Sequence, residues 1–399
     1  MGGCTGDEGG FQGQDSKYRE QQSEDTDVEN PGQESGDTEM EESDEESGSD
    51  HCHPPEFDEF LSTIRFDELC NAASRLRDGT PCALGEHVVG GFNAIFEINF
   101  VDDVTWMARV PLPYCCFQPE EISASYAATL KYLKKYSTIP VPQVYGSGRQ
   151  SDPTNKTNVT YIFMERMKGR SLPVVEERPY EPTTTEISLV RKVHEQLADI
   201  ILQLGSLRED SDGNFFVGPF VDSTGTAHPQ CKAEMYQSLK PQHRGPYKST
   251  SAWYRGMASL NRRYALVDPD EDDTRDETVA QYEILTELAP RIISKTFNKG
   301  PFVIHHNDLT TQNILVDDDF NITAIIDFPG TVVPLPSLCV YPWMFADNTE
   351  GIIADRKLYL DAFLSRKDPY DSELSHRRIR KRLMRNARIR QYFEQCHAI

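Results

Sequence analysis

Three side chains that carry oxygen atoms lie beside short apolar runs in residues 302–328. Asp308 stands two positions after His306, Asn313 follows Asp308 by five positions, and Asp327 comes directly after the apolar run ITAII. Carboxylate and amide oxygens suit two chemical tasks, because they accept protons and bind hard divalent cations. The spacing therefore predicts a polar active site where several short buried strands end.

Phosphoryl transfer from a nucleotide to a hydroxyl group needs this combination of side chains. The attacking hydroxyl needs a carboxylate that orients it and takes its proton, and the phosphates need a metal ion held by oxygen ligands. Asp308 meets the first need if the following loop folds back so that Asn313 faces the same cavity. Asp327, at the end of a strand, completes the metal site, although an Asp at such a position is also typical of a turn or cap.

Apolar periodicity predicts the elements that hold these residues. Before them we expect a helix in FDEFLSTIRFDELCNAASRLR, strands in HVVGGFNAIFEINF and VTWMARVPLP, a helix in EEISASYAATLKYLKKY, an extended segment in IPVPQVYGSG and a strand in VTYIFMERM. The rest is mostly helical, with long helices in EISLVRKVHEQLADIILQLGSL and TVAQYEILTELAPRIISKTF. The order predicts an α+β protein in which a small lobe precedes a larger helical lobe.

Charge and composition divide the chain into three parts. The first 60 residues hold 20 Asp and Glu but 2 Lys and Arg, so they contribute 18 of the 23 net negative charges. We expect residues 1–54 to be a disordered acidic tail, 55–167 to be the N-lobe and 168–399 to be the C-lobe. Near the end, the run 376–390 predicts a basic amphipathic helix. Either the acidic tail loosely covers this helix, or the two are independent solvated charge runs.

Several classes of function and location are disfavoured by the same composition. A domain close to neutrality outside its acidic tail argues against a nucleic-acid partner. The sequence has no run of 18 apolar residues, so it predicts no transmembrane helix and no membrane partner. An odd count of nine cysteines without a secretory signal indicates reduced thiols, and we expect a cytoplasmic or nuclear protein.

Four ordered segments resemble the aminoglycoside phosphotransferase-like family, and particularly its fungal branch. They are FNAIFEINF with WMARVP, then STIPVPQVYG, then YIFMERMKGRSL, and finally HNDLTTQNILVD with ITAIIDF. Members of that family share the two-lobed protein-kinase-like fold, with a small β-rich N-lobe and a larger helical C-lobe. The resemblance implies transfer of the γ-phosphoryl group of ATP, with Mg²⁺ as cofactor, to a hydroxyl group of a small molecule.

The resemblance also implies roles for residues at matching positions. Asp308 would be the catalytic base or hydroxyl-orienting residue, Asn313 and Asp327 would hold Mg²⁺, and His306 would brace the loop. Two glycines in the first hairpin would approach the nucleotide phosphates, and a strand arginine would take the place of the kinase lysine. The hinge would contact the adenine. These nucleotide-binding residues are Gly90, Gly91, Arg109, Met164, Glu165, Arg166 and Met167. From the residues alone, the glycine pair also fits a simple turn and Arg109 also fits a surface arginine.

One departure from the family pattern leaves a second function open. The helix after the hairpin usually carries a glutamate that pairs with the strand cation, whereas YAATLKYL places Tyr126 there. Glu120 or Glu121, more than one turn earlier, would be the substitute. The alternative is a catalytically weak or inactive kinase-like protein that acts as a binding or regulatory module. An ordinary protein kinase is disfavoured, because no activation segment with an Ala-Pro-Glu-like anchor follows Asp327.

Overall fold

The computed structural model describes most of the chain between residues 55 and 366. The described ranges are 55–114, 119–172, 184–207, 218–219, 249–266, 275–293, 295–306, 308–328, 331–334 and 350–366. The chain divides between Cys52 and His53 into two units, and every described residue belongs to the second unit. The predicted acidic tail and the predicted basic helix at 376–390 lie outside the described residues.

An antiparallel sheet of five strands forms the core of the N-terminal part, in the order β1-β2-β3-β5-β4. Its strands are β1 (Cys82–Val89), β2 (Asn93–Phe100), β3 (Thr105–Pro111), β4 (Val144–Gly148) and β5 (Tyr161–Glu165). Along β2 and β3, buried side chains alternate with partly exposed ones, as the two faces of a sheet require. The stretch HVVGGFNAIFEINF, predicted as one strand, is instead two strands joined by a tight turn.

Two helices precede the sheet and cover one of its faces. They are α1 (Pro55–Thr63) and α2 (Phe66–Leu76), where the periodicity predicted a single helix. The break falls at Arg65, whose backbone N–H leaves the helical pattern and donates to the carbonyl of Thr157 at 3.1 Å. The buried side chains of both helices pack on alternate residues of β2 and β3, such as Phe96 and Trp106. We call α1 and α2 the cap helices.

The opposite face of the sheet packs against α3 and the C-terminal part. Helix α3 (Pro119–Tyr136) lies in the same apolar cluster as the helix and strand residues of that part. Its helices are α4 (Thr184–Ser206), α5 (Thr250–Ala265), α6 (Arg275–Ile292) and α7 (Glu350–Ser365). The long amphipathic pattern predicted for α4 is confirmed. Among the helices of the described ranges, none is long and apolar enough to cross a bilayer.

Two small sheets carry the segment that holds the candidate site. One sheet has the order β10-β9-β6 and the other β7-β11-β8. Their strands are β6 (Arg170–Ser171), β7 (Gly218–Pro219), β8 (Phe302–His305), β9 (Ile314–Val316), β10 (Ile322–Ile325) and β11 (Thr331–Pro334). The chain passes from the large sheet to these small sheets through residues 166–169, between β5 and β6. This order of elements is that of the two-lobed protein-kinase-like fold, so the predicted α+β fold class is confirmed.

Helix α4 fixes the turn between β9 and β10. The side chain of Gln196 accepts a hydrogen bond from the N–H of Ile322 at 2.8 Å and donates to the carbonyl of Phe320 at 3.0 Å. Lys192, one turn earlier, donates to the carbonyl of Asp319 at 2.6 Å. The strand that leads to Asp327 therefore rests on a rigid helix.

The cap helices should contribute to the stability of the sheet. Leu69 and Leu76 both belong to α2, but Leu69 is fully buried and Leu76 is 49% exposed. We expect Leu69→Ala to lower the free energy of unfolding by about 2–5 kcal/mol, since it leaves a cavity in the core. The matched control Leu76→Ala should cost less than about 1 kcal/mol. Urea denaturation followed by tryptophan fluorescence measures both, and equal losses would contradict the docking of α2.

Candidate active site

Asp308 and Asn313 are brought together by the loop between β8 and β9. The side-chain amide of Asn313 donates to the backbone carbonyl of Asp308 at 2.8 Å and to its carboxylate oxygen Oδ2 at 3.1 Å. Asn313 is buried at the end of a short 3₁₀ turn, whereas Asp308 is exposed. The five-residue spacing therefore folds back as the sequence predicted, and the carboxylate of Asp308 is accessible from solvent.

His306 braces this loop from beneath. Its Nδ1 accepts a hydrogen bond from the N–H of Asp308 at 3.2 Å, so its Nε2 carries the proton and donates to the carbonyl of Ile326 at 2.9 Å. Burial of the imidazole lowers the pKa of His306 to about 4. The ring is therefore neutral at physiological pH, and it joins the Asp308 loop to the residue before Asp327.

Asp327 follows β10 in an unusual backbone conformation. Its φ angle is +50°, in the left-handed region that Asp and Asn tolerate better than most residues. The preceding residue, Ile326, donates its N–H to the carbonyl of Asn313 at 2.9 Å. The N–H of Ile326 bonds Asn313 and its carbonyl bonds His306. These two bonds connect the Asp327 segment to the loop that carries Asp308 and Asn313.

Arg109 pairs directly with Asp327. Guanidinium nitrogen Nη2 lies 2.8 Å from carboxylate oxygen Oδ1, and the side chains are 15% and 41% exposed respectively. Arg109 belongs to β3 of the large sheet, so the ion pair joins that sheet to the Asp327 segment. The alternative of a surface arginine does not fit a side chain that is this well covered.

Tyr126 also contacts Arg109. The guanidinium carbon of Arg109 lies 4.3 Å from the centre of the tyrosine ring, which is the geometry of a cation–π contact. Burial raises the pKa of Tyr126 to about 12, so the side chain is neutral at physiological pH.

Glu120 does not take the place of the missing glutamate. Its carboxylate accepts hydrogen bonds from the backbone N–H of Ser151 at 2.6 Å and from the hydroxyl of Ser151 at 2.7 Å. That contact ties the start of α3 to the loop between β4 and β5. The expectation that Glu120 substitutes is therefore wrong, and Tyr126 itself occupies the position beside Arg109.

The two predicted phosphate-binding glycines lie in the turn between β1 and β2. Gly90 donates its N–H to the carbonyl of Asn93 at 2.9 Å, and both glycines are exposed. A Cβ atom on Gly91 would meet no atom within 4 Å, and one on Gly90 would make an ordinary contact of 3.6 Å. The turn itself therefore does not require glycine at either position.

The predicted hinge residues surround the connection between β5 and β6. Met164 is buried in β5, while the carboxylate of Glu165 accepts the N–H of Gln143 at 3.0 Å and pairs with Lys134 at 3.2 Å. Arg166 pairs with Glu97 of β2 at 3.1 Å. Met167 follows, partly exposed. The side chains of Glu165 and Arg166 are thus engaged in holding the connection in place.

The donor atoms at the site fit a hard divalent cation. The Nδ2 of Asn313 is hydrogen-bonded to Asp308, so its Oδ1 is the atom that could bind a metal ion, and Asp327 could supply a carboxylate. Within the described ranges, no three His, Cys, Asp and Glu residues lie together as a metal cluster. Mg²⁺ usually takes one or two carboxylates and completes its shell with water and substrate phosphates, so two protein ligands are sufficient.

Sequence reasoning missed two contributions to this site. The backbone N–H and carbonyl of Ile326 form hydrogen bonds with Asn313 and His306. The residue type, an apolar side chain after a strand, does not predict these backbone bonds. Tyr126 was noticed as a departure, but its contact with Arg109 was not expected. The signal available was that an aromatic ring is a common partner of arginine.

The chain matches the model of one known protein family. The model of the phosphotransferase enzyme family, APH, matches residues 101–336, which is more than half of the chain. Two relatives from Aspergillus fumigatus strains, each named a subtelomeric hrmA-associated cluster protein, are 29% identical over 127 residues. That match covers 32% of this chain and 23% of theirs, so it spans about a quarter of the length of those relatives.

Solved structures that resemble this chain include an aminoglycoside phosphotransferase and a macrolide phosphotransferase. A thermostable mutant of aminoglycoside phosphotransferase APH(4)-Ia is 15% identical, with a TM-score of 0.48 over 84% of this chain and 97% of that one. Macrolide 2′-phosphotransferase MphH from Brachybacterium faecium is also 15% identical, with a TM-score of 0.41 over 78% of this chain and 88% of that one.

The neutral state of His306 predicts a pH dependence of stability. Because its pKa is lowered from about 6.5 to about 4, the unfolded chain takes up the proton first as pH falls. The stability that His306 contributes is full above pH 6.5 and declines toward pH 4, by roughly 3 kcal/mol at 1.36 kcal/mol per pKa unit. We expect His306→Gln, which keeps a donor for Ile326, to show a shallower decline in urea unfolding across this window. The carboxylates contribute equally to the unmodified protein and to His306→Gln. If the free energy of unfolding declined equally steeply with pH in both, the burial of a neutral imidazole would be contradicted.

Proposed function

Because the chain belongs to the phosphotransferase enzyme family, we propose that it transfers the γ-phosphoryl group of ATP to a hydroxyl group of a small molecule, with Mg²⁺ as cofactor. The observation that carries the proposal is the arrangement of Asp308, Asn313 and Asp327 around the backbone of Ile326. Hydrogen bonds of 2.8–2.9 Å hold the three side chains on one connected piece of chain. Such preorganisation is what electrostatic catalysis of phosphoryl transfer requires.

Asp308 is proposed to orient the acceptor hydroxyl and take its proton. Its carboxylate is exposed, while its backbone N–H is held by His306 and its Oδ2 by Asn313. The second oxygen, Oδ1, is then the atom that faces an acceptor. His306 itself is neutral and fully committed by two hydrogen bonds, so it positions the loop without exchanging protons with the substrate.

Asn313 and Asp327 are the proposed metal ligands. At these residues a held Mg²⁺ would supply positive charge that offsets the charge developing on the phosphates. Asp327 provides the negative charge and Asn313 the neutral oxygen, both fixed by the backbone bond between Ile326 and Asn313.

Arg109 is proposed to bind the phosphates next to the metal. It already lies 2.8 Å from Asp327, so a phosphate bound by the same metal would lie within its reach. The exposed turn at Gly90 and Gly91 is proposed to cover the phosphates, and the connection from Met164 to Met167 is proposed to contact the base. The bonds of Glu165 and Arg166 to Gln143 and Glu97 would hold that connection rigid.

A binding module without catalysis remains the competing function. The observation that favours it is the ion pair, because Arg109 engages the carboxylate that a metal would need. The two functions differ in a simple measurement. A catalytic site should be stabilised against heat by Mg²⁺ with ATP, by about 2.7 kcal/mol at a hundred times the dissociation constant, and should then transfer phosphate.

Asp308→Asn tests the proposed catalytic residue. We expect it to lower phosphoryl transfer by about 10²–10⁴-fold, because an amide cannot take the proton of the acceptor. Binding of Mg²⁺ with ATP should persist, since the amide oxygen still accepts the bond from Asn313. A screen of hydroxylated small molecules supplies the acceptor, and calorimetry supplies the affinity. The control Asp318→Asn alters an exposed aspartate on the nearby turn and should change neither value. Full turnover by Asp308→Asn would contradict the assignment.

Asp327→Asn and Asn313→Ala test the metal ligands. Asparagine tolerates the positive φ of Asp327 but removes the charge, so it separates metal binding from backbone strain. We expect both changes to raise the Mg²⁺ concentration needed for half-maximal nucleotide binding, and Asp327→Asn to raise it more. A carboxylate contributes a full charge to the ion, whereas an amide contributes a dipole. An unchanged Mg²⁺ requirement in both variants would place the metal elsewhere.

A further inference from the structure

The ring of Tyr126 contacts one charged residue of the candidate nucleotide site. The ring centre lies 4.3 Å from the guanidinium carbon of Arg109, which itself pairs with Asp327 at 2.8 Å. Tyr126 is 3% exposed and projects from α3, the helix packed beneath the large sheet. One residue of α3 therefore contacts the strand cation that joins β3 to the Asp327 segment.

The chemistry of this contact differs from that of an ion pair. A tyrosine ring attracts the guanidinium through its quadrupole without supplying a negative charge. The full positive charge of Arg109 consequently stays available to Asp327 at 2.8 Å and to an incoming phosphate.

We propose that Tyr126 is a positioning residue of the phosphotransfer site, whose ring orients Arg109 toward the phosphates. This inference rests on the proposed function, because it assigns a role toward ATP. It accounts for Tyr126 beside the strand cation without requiring an inactive protein. Tyr126 acts through Arg109 and does not touch the reacting atoms.

The ring is tested by a double-mutant cycle between Tyr126 and Arg109. Calorimetry on the full chain measures binding of a non-hydrolysable ATP analogue with Mg²⁺. We expect Tyr126→Leu to weaken binding about tenfold to thirtyfold, the range of a desolvated cation–π contact. In the Arg109→Ala background the same change should weaken binding less than about twofold, because no cation remains to be oriented.

A merely structural role would give a different result. Loss of packing would lower the melting temperature and weaken binding by the same factor in both backgrounds, and that additivity would overturn the proposal. Tyr132→Leu is the matched control, since Tyr132 is a partly buried tyrosine of the same helix whose ring contacts Tyr136. It should leave the analogue affinity within about twofold.

Tyr126→Phe, which keeps the ring and its volume, is a second test of the ring. We expect analogue affinity at saturating Mg²⁺ to stay within about threefold, because the ring face that contacts Arg109 remains. A loss as large as that expected for Tyr126→Leu would overturn the role of the ring, and this arm stands even where Tyr126→Leu does not fold.

The failure of this inference is distinguishable from failure of the proposed function. Absence of analogue binding by the unmodified protein would contradict ATP as the ligand and with it the role of Tyr126. Binding by the unmodified protein together with an additive cycle would contradict the role of Tyr126 alone.

Discussion

The ion pair between Arg109 and Asp327 is the contact on which the candidate site depends. It joins β3 of the large sheet to the end of β10 in the C-terminal part at 2.8 Å, in surroundings where Arg109 is mostly covered. A covered guanidinium is costly without a partner, and the carboxylate of Asp327 is one such partner. Tyr126 supplies a further contact from α3, so β3, α3 and the Asp327 segment meet at the charge of Arg109.

Neutral hydrogen bonds do the rest of the positioning. His306 and Asn313 each bond the backbone of Ile326, so the Asp308 loop and the Asp327 segment behave as one unit. Both side chains are buried, and neither adds a charge to the site. The two carboxylates at its surface are then placed by rigid scaffolding beneath them, which is how a site stabilises developing charge without rearranging.

Much of the fold follows from pattern. Alternation along β2 and β3 and the long apolar stripe of α4 predicted elements that the structure confirms, because burial on one face imposes those periods. The cap helices were harder, since FDEFLSTIRFDELCNAASRLR keeps a helical period through the break at Arg65. At the break, Arg65 bonds the carbonyl of Thr157 and the side chain of Asn158 bonds the carbonyl of Thr63, and such long-range bonds leave no local trace in the sequence.

By itself the sequence determined the family, the two-lobed α+β fold and the spacing that lets Asn313 fold back on Asp308. These are properties of residue order and local geometry. The tertiary structure decided which groups meet across the chain: Arg109 with Asp327, Tyr126 with Arg109, and Glu120 with Ser151 in place of the strand cation. Such partners are chosen by packing between distant elements, and the distance between two side chains is set only when those elements have docked.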